Sequence, residues 1–456
     1  GRDPALRADL LAAGRALRWH PEQMRVRYDH WVSGLTGDWV ISRQRFFGVP
    51  IPLWYPVDAE GHPRHDAPIV PAADSLPVDP SSDPPPGYLP EQRGRPGGFV
   101  ADPDVMDTWA TSSLTPLIAA TASGPDLLDR VYPMDLRPQA HEIIRTWLFS
   151  TVLRAHLDHG SLPWRDVAIS GWILDPDRRK MAKSKGNVVT PMSLLAEYGS
   201  DAVRYWAACG RPGTDATFDA GQMRIGRRLA VKILNAGRFV LGLAPTGGTD
   251  PATVTEPVDQ AMLAALATVV DDATAAFDGY DYARALELTE QFFWMFCDDY
   301  VELVKARAYG EGDPGPVASA RAALRIALDV LLRLFAPVMP FVTEEIWCTW
   351  RDGSVHNAPW PTRAELTPPR GAAPTRDGLL GVASSVLRAV RRAKSTAKLS
   401  MRAEVRRRVL RASPLDAELF ELVRGDLVAA GNLGAVEVHL IDQPGASTDL
   451  VVLATV

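Results

Sequence analysis

The sequence predicts an α/β fold followed by an all-α one, with a small α/β unit at the carboxyl end. Three observations carry this expectation. Between 101 and 217 strand-like and helix-like stretches alternate. After about residue 220, apolar residues recur at helical spacing, and beyond residue 366 a basic stretch leads into two short β-rich runs. Strands alternating with helices make a parallel sheet, and consecutive amphipathic helices make a bundle.

Each element has its own signal. Residues 1–30 hold a short amphipathic stretch and then a polar turn at Pro21, and residues 31–54 are dense in aromatic and basic groups. From 56 to 100, Pro84-Pro85-Pro86 and Gly97-Gly98 interrupt any helical period, which predicts an extended surface insertion on a folded core. The spacing predicts a helix over 143–153, a buried strand over 167–173 and a helix over 192–198 closed by Gly199, with His159-Gly160 in a loop. In such a sheet, binding residues are expected beyond the carboxyl ends of the strands. The bundle is predicted from Leu263, Leu266, Val270, Ala273 and Phe277, then Ala285, Leu288, Phe292 and Met295, then Leu324, Leu328, Leu331 and Phe335 before Pro337. The Phe292-Phe293-Trp294-Met295-Phe296 run follows this stripe and reads as core. Residues 363–378, rich in Pro, Gly and Ala, read as a linker, and 436–441 and 450–456 as strands.

Composition narrows the functional classes. Of 456 residues, 46% are hydrophobic and 23% charged, which excludes a disordered chain, a collagen-like fibre and a disulfide-stapled scaffold. Cys209, Cys297 and Cys348 form no C-x-x-C pair, so neither a disulfide framework nor a thiolate zinc site is expected. A reducing, cytoplasmic location is the simplest expectation, and no apolar run reaches membrane-spanning length. The opening Gly1-Arg2-Asp3-Pro4 is neither a methionine start nor a signal peptide, and predicts that the chain begins partway through a longer protein. The net charge of −6 argues against a generally basic nucleic-acid binder. Charge is nevertheless concentrated: Arg388 to Arg411 holds ten Lys/Arg against Glu404, and Arg178, Arg179, Lys180, Lys183 and Lys185 cluster. Such local patches hold polyphosphate in an otherwise acidic protein.

Chemistry is concentrated in Lys180-Met181-Ala182-Lys183-Ser184-Lys185-Gly186-Asn187-Val188-Val189, between a predicted strand and Pro191. Two lysines three apart on a loop neutralise charge on the β- and γ-phosphates of ATP, while a hydroxyl and a glycine let the backbone approach. Fixed cations there stabilise the charge that builds on departing pyrophosphate. The bland alternative for a charge run is a solvated loop, but the order K-M-x-K-S-x-G-N-V-V leaves it little room.

That stretch resembles the KMSKS signature of class I aminoacyl-tRNA synthetases, in the form shared by the valine, isoleucine and leucine enzymes. Gly37 to Gly48 (G-D-W-V-I-S-R-Q-R-F-F-G) is similar to the W-x-I-S-R-Q-R-x-x-G block where the chain re-enters the catalytic domain after the editing insertion. Asp104 to Ser113 resembles the D-V-x-D-T-W-x-S-S block, and Arg137 to Trp147 (R-P-Q-A-H-E-I-I-R-T-W) the block that precedes the signature loop. Four ordered motifs therefore span residues 31–190, and the valine-specific members are the most similar.

The resemblance implies the second half of a Rossmann-like catalytic domain, a helical anticodon-binding bundle and a small carboxyl-terminal unit. The boundaries it implies are 1–30 for the end of the editing insertion and return segment, 31–217 for the catalytic half with its 56–100 insertion, 218–365 for the bundle, and 366–456 for a basic helix and small α/β unit. It implies that Trp109 and Trp147 wall a side-chain pocket, as flat rings that bracket a small branched chain and exclude larger ones. Plain core packing is the alternative for any tryptophan. Asp107 would fix the pocket. Gln139 and Glu142 would make polar contacts to the adenylate, Glu142 taking ribose hydroxyls or the substrate ammonium, or else serving only as a helix-terminal acid. His141 beside it is a further pocket candidate or a structural group. Gly171, Trp172 and Ile173 would read adenine. Lys180, Lys183 and Ser184 would be catalytic, with Met181 beside them at the nucleotide.

Two departures stand out. Ala182 replaces the first serine of the signature, a loss of about 0.5–1.5 kcal/mol for one hydrogen bond, which predicts tuning rather than inactivation. No H-I-G-H signature occurs, since His159-Gly160 lacks a second histidine. The expected function is therefore that of a valine–tRNA ligase, acting on valine, ATP with its Mg2+ and tRNA(Val), with this portion inactive alone and the full-length protein monomeric. The isoleucine enzyme, one methylene away at about 1–3 kcal/mol, and a catalytically dead tRNA-binding fragment are the alternatives. Arg388, Arg391, Arg392, Arg406 and Arg407 are candidates for the tRNA backbone, or for a solvated helix face. Scattered histidines, with His62 and His65 in a Pro-rich stretch, predict no zinc site.

Overall fold

The computed structural model describes residues 2–122, 124–182, 185–188, 190–243, 250–367, 378–405, 408–434, 436–440 and 449–451. They divide into two compact units, Gly1–Trp172 with Pro212–Thr214, and Ile173–Arg211 with Asp215–Val456.

The first unit opens with helix α1 (Pro4–Ala16), whose Asp3 side chain accepts from the Ala5 and Leu6 amides at 2.9 and 3.3 Å, satisfying two of the donors every helix start leaves open. Strand β1 (Arg18–His20) and helix α2 (Arg25–Ser33) follow. Two short antiparallel pairs frame the Pro-rich insertion: β2 (Ser42–Arg43), β3 (Trp54–Pro56), β4 (Phe99–Ala101) and β5 (Val105–Met106) pair as β2–β5 and β3–β4. The insertion is tied down rather than merely extended, because Trp54 Nε1 donates to the Asp83 carbonyl and Arg93 reaches the Pro80 and Asp83 carbonyls while lying over Phe99. Helices α3 (Thr108–Ser112), α4 (Thr115–Thr121) and α5 (Pro125–Val131) lead to strand β6 (Met134–Ala140), helix α6 (Phe149–His159) and strand β7 (Trp164–Ser170).

The sheet is parallel, in the order β1-β7-β6. Strand β7, its centre, buries Trp164, Val167 and Ile169, the apolar reading a strand covered on both faces requires. Leu10, Trp19, Tyr28, Ile144, Leu148 and Val152 close the core against it. One expectation is corrected here. His159 is the last residue of α6 and Gly160 its left-handed cap (φ 60°), so the pair terminates a helix rather than sitting in a loop. The polar turn expected at Pro21 is preceded by a strand, since Arg18-Trp19-His20 registers with Asp166-Val167-Ala168.

The second unit begins with β8 (Ile173–Leu174) and continues through α7 (Pro191–Tyr198), α8 (Ser200–Ala208) and β9 (Ala216–Thr217), which pairs in parallel with β8. The bundle comprises α9 (Ala220–Gly242), α10 (Pro257–Asp278), α11 (Tyr282–Met295), α12 (Val301–Tyr309), α13 (Pro314–Phe335) and α14 (Pro340–Trp347). Helix α13 is buried almost all round, its many Ala, Leu and Val residues packing on every side and its buried Arg333 paired with Asp329, and Phe292, Phe293 and Phe296 lie in the core. Helix α8 is locked to the bundle: the Asp201 carboxylate accepts from the Phe341 and Val342 amides at the start of α14, and Arg204 donates to the Pro337 and Val338 carbonyls. Helices α8 and α9 touch so closely that a Cβ on Gly226 would stand 2.8 Å from the Tyr205 side chain.

Helix α15 (Leu379–Thr396), strand β10 (Arg408–Ala412), helix α16 (Pro414–Gly431) and strands β11 (Val436–Leu440) and β12 (Asp449–Val451) complete the unit, with β10 parallel to β11 and antiparallel to β12. The basic stretch is thus a helix only as far as Thr396. Of the predicted linker, 363–367 contains a capped 3-10 turn and the remainder to 377 lies outside the described residues. Among the described residues no helix is long and apolar enough to cross a membrane.

Candidate functional site

In the first unit, two blocks more than sixty residues apart in sequence interlock on one carboxylate. Asp107, buried, accepts from the Trp109 amide at 2.8 Å, from Trp39 Nε1 at 2.9 Å and from Arg43 Nη2. It therefore caps α3, the helix carrying Trp109, while holding the β2 block in place. Gly48 permits this approach, because a Cβ there would meet Val105 Cγ2 at 2.6 Å. The half-buried Trp147 is pinned to the far end of α3, its indole N–H donating to the Ser112 carbonyl at 3.0 Å and to Thr115 Oγ1 at 3.2 Å. Arg154 Nε donates to Ser113 Oγ, and its guanidinium also reaches the Ala110 carbonyl, bracing the same turn.

The carboxyl end of β6 supplies the polar side. The chain leaves the strand at Ala140, turns through His141–Ile143 and winds a π turn over Ile144–Leu148 before α6. Trp172, following β7, folds back over this turn: its ring lies 4.6 Å from that of His141, and its Nε1 donates to Glu142 Oε2 at 3.0 Å. One oxygen of Glu142 thereby accepts from an indole, and the residue stands in the first turn of the 3-10 helix. Gln139 is 7% exposed, yet neither polar atom of its amide has a hydrogen-bond partner among the described residues.

Sequence reasoning passed over Arg137. Its guanidinium lies over the face of Trp147 and 5.2 Å from the centroid of Trp164, and its Nε and Nη2 have no partner among the described residues. Burial pushes its pKa down to about 10, the direction expected of a cation held away from water without a counter-charge. The signal was present in the strand period, since residues 137 and 139 share one face of β6. Buried polar groups are nearly always paired, and Arg137 and Gln139 depart from that rule on one face of one strand.

The signature loop lies in the second unit. Asp175 and Asn187 brace it from either side. Asp175 accepts from the Arg179 amide at 2.7 Å and from Asn187 Nδ2 at 2.7 Å; Asn187 Oδ1 accepts from the Ala182 amide at 2.9 Å, and its Nδ2 also reaches the Lys180 carbonyl. These donors, the Arg179 amide first, hold the Asp175 carboxyl below its ordinary range. Lys180 is exposed and bridges in β fashion to Leu174, and Met181 follows, half-buried. Ile173 pairs with β9 in this unit, whereas Gly171 and Trp172 belong to the first. Lys183 and Ser184 lie outside the described residues. Neither Asp175 nor Asn187 was singled out from sequence, although Asn187 stands within the motif.

The basic carboxyl-terminal stretch is partly neutralised. Arg391 Nη1 donates to Asp299 Oδ1 at 3.3 Å, and Arg388 Nε lies 3.9 Å from the other oxygen of that carboxylate. Arg392 is exposed, and Arg406 and Arg407 lie outside the described residues. Among the described residues no group of three or more His, Cys, Asp or Glu is arranged to hold a metal ion.

Comparison with known proteins gives one consistent answer. A family model described as tRNA synthetases class I (I, L, M and V) matches residues 2–219, and one described as the anticodon-binding domain of tRNA ligase matches residues 259–409. A valine--tRNA ligase of Thermobifida fusca is 61% identical over 99% of the chain and 51% of its own length. The corresponding ligase of Salinispora tropica is 61% identical over 97% of the chain and 53% of its own. The chain spans about half the length of the curated relatives it matches. Among solved structures, an Agrobacterium radiobacter leucyl enzyme in a ternary complex with tRNA superposes with a TM-score of 0.56 at 23% identity, covering 72% of this chain and 44% of that one. A Mycobacterium tuberculosis methionyl-tRNA synthetase with methionyl-adenylate reaches 0.52 at 22% identity, covering 75% and 60%. At these identities the structures speak for the fold alone.

Proposed function

Since the chain belongs to the class I aminoacyl-tRNA synthetases, we propose that it supplies the loop-bearing catalytic half and the anticodon-binding part of a valine–tRNA ligase. In that reaction a carboxylate oxygen of valine attacks the α-phosphorus of Mg–ATP, the bond to pyrophosphate breaks, and the valyl group then passes from the adenylate to the 3′ end of tRNA(Val). The chain-wide identity to valine--tRNA ligases is the observation that carries this reading, and it does not favour the isoleucine alternative.

No protein nucleophile is required, so positioning and charge stabilisation set the rate. Trp109 and Trp147, joined through α3 and held by Asp107, bracket the valine side chain. Gln139, His141 and Glu142 meet the polar part of the adenylate, with Trp172 fixing Glu142, and Gly171, Trp172 and Ile173 meet adenine. Lys180 and Lys183 neutralise the phosphates, Ser184 orients the loop with Met181, and the Asp175–Asn187 brace holds the backbone at Lys180. Of the α15 group proposed for tRNA, Arg388 and Arg392 are exposed.

The 456 residues contain no H-I-G-H signature, so activation requires a segment that carries it. The test is valine-dependent ATP–pyrophosphate exchange, with the chain alone and after fusion to the amino-terminal half of the Thermobifida ligase. Exchange only in the fusion, preferring valine to isoleucine, is the expected result. Exchange by the chain alone, or a fusion that prefers isoleucine, contradicts the reading. A fusion that binds tRNA but never exchanges favours the catalytically dead fragment.

A further inference from the structure

The ring proposed to limit side-chain size is held by its edge. Trp147 stands in the π turn Ile144–Leu148, a backbone form that occurs mostly as single-turn insertions, frequently at functional sites. Thr151 Oγ1 donates to the Trp147 carbonyl at 2.6 Å, and the indole N–H is committed to the Ser112 carbonyl and Thr115 Oγ1. These bonds fix the backbone and one edge of the indole. They leave the ring free to tilt about that edge, so what lies against its face decides whether the wall holds.

Arg137 lies there. Its guanidinium covers the Trp147 ring and stands 5.2 Å from the centroid of Trp164, which is fully buried at the start of β7 and belongs to the core of the sheet. Contact therefore runs from the core tryptophan through the cation to the tryptophan of the wall. A planar guanidinium stacks on an indole face as an aliphatic side chain cannot. An arginine serving only as a tie brings its N–H groups to acceptors, as Arg154 does at Ser113 Oγ and the Ala110 carbonyl. On Arg137, Nε and Nη2 have no hydrogen-bond partner among the described residues, so what its position secures is the stack. The demand on that stack is high, because a pocket separates side chains one methylene apart by only about 10- to 200-fold. A small outward tilt of one wall makes room for that methylene, so the ratio depends on the stiffness of the ring.

We infer that Arg137 is a positioning residue for amino-acid specificity: by stacking on Trp147 it fixes the ring that limits side-chain size, without touching the substrate. The inference rests on the proposed ligase function, and two measurements separate them. In the chain alone, nitrogen–proton correlation spectra identify the Trp147 indole by its absence in Trp147→Phe. In Arg137→Gln that peak is expected to move and its N–H to exchange faster with water, while the indole peaks other than Trp164 hold their places. An unmoved Trp147 peak overturns the inference whatever the chain does. In the fusion with the Thermobifida half, ATP–pyrophosphate exchange is compared for valine, isoleucine and threonine. Arg137→Gln is expected to lower the preference for valine over isoleucine about tenfold in kcat/KM, within the range that one methylene provides. The preference for valine over threonine, a side chain of equal size, should shift by less than about twofold. Arg137→Lys, which keeps the charge but not the planar fork, should restore only part of the ratio. An equal loss for all three amino acids overturns the inference, since it marks a structural or carboxylate-binding role. So does a change confined to KM for ATP, or a threonine shift as large as that for isoleucine. An unsubstituted fusion that activates no valine contradicts the ligase reading and takes the specificity role with it, even where the indole spectra show the stack.

Discussion

Two partly buried arginines, one in each unit, sit in opposite circumstances. In the second unit Arg307 is surrounded by acceptors. It donates to both oxygens of Asp259 at 2.9 and 3.0 Å, to both oxygens of Asp426 at 2.7 and 2.8 Å, and to the Pro316 carbonyl. Tyr300 and Ser319 complete the Asp259 carboxylate. Burial works against the charge, but the two carboxylates outweigh it and hold the guanidinium well above its ordinary pKa. In the first unit Arg137 is half-buried against tryptophans with two N–H groups unused, and burial, unopposed, lowers its pKa to about 10. A satisfied buried charge fixes architecture, here the junction of α10, α12 and α16. An unsatisfied one costs stability where it stands.

That contrast is open to attack by mutation. Replacing Arg307 by Met strands two buried carboxylates, and should lower the unfolding free energy of the helical transition by about 3–5 kcal/mol, read as a shifted urea midpoint by circular dichroism. A loss under 1 kcal/mol would mean that the network is ornamental. Gly226→Ala, which drives a methyl into Tyr205, is expected to cost about 1–3 kcal/mol from overpacking, set against a gain of at most ~1 kcal/mol in helix propensity. A neutral result would show that the α8–α9 contact gives way easily. Asn187→Ala removes bonds to the Ala182 and Lys180 backbone and to Asp175. It should leave the global midpoint within experimental scatter while lowering exchange by the fusion about tenfold, and equal exchange would detach the brace from the loop's work. Arg137→Gln should move stability least of all, by less than about 1 kcal/mol, since the lost stacking on Trp147 is offset by relief of an unpaired charge. Exchange should nevertheless fall. A large loss of stability instead would place Arg137 with Arg307 as an architectural group.

The parts that sequence disclosed are those whose meaning is contiguous. The K-M-x-K-S-x-G-N-V-V run, the D-T-W block and the long apolar stripes of α10, α11 and α13 each declare themselves within about fifteen residues. What stayed hidden is relational. Strand β1 is three residues with no readable alternation, and becomes a strand only because β7 lies beside it. Asp299 cancels charge on Arg388 and Arg391 from some ninety residues away. The joint hold of Asp107 on Trp39, Arg43 and Trp109 could be guessed as a pocket support from its motif, but its partners were not legible. Arg137 was in plain view two residues before Gln139, and its significance lies wholly in the bonds it lacks.

The claim on which the account depends is that the loop of this chain stabilises the departing pyrophosphate. Valine-dependent exchange by the fusion, with and without Lys183→Ala, tests it most directly. A fall of roughly 100- to 1,000-fold, the scale of losing one preorganised charge-stabilising group, with valine affinity little changed, is the predicted result. Exchange undiminished by that substitution would contradict the assignment of the loop and, with it, the catalytic role proposed for this half.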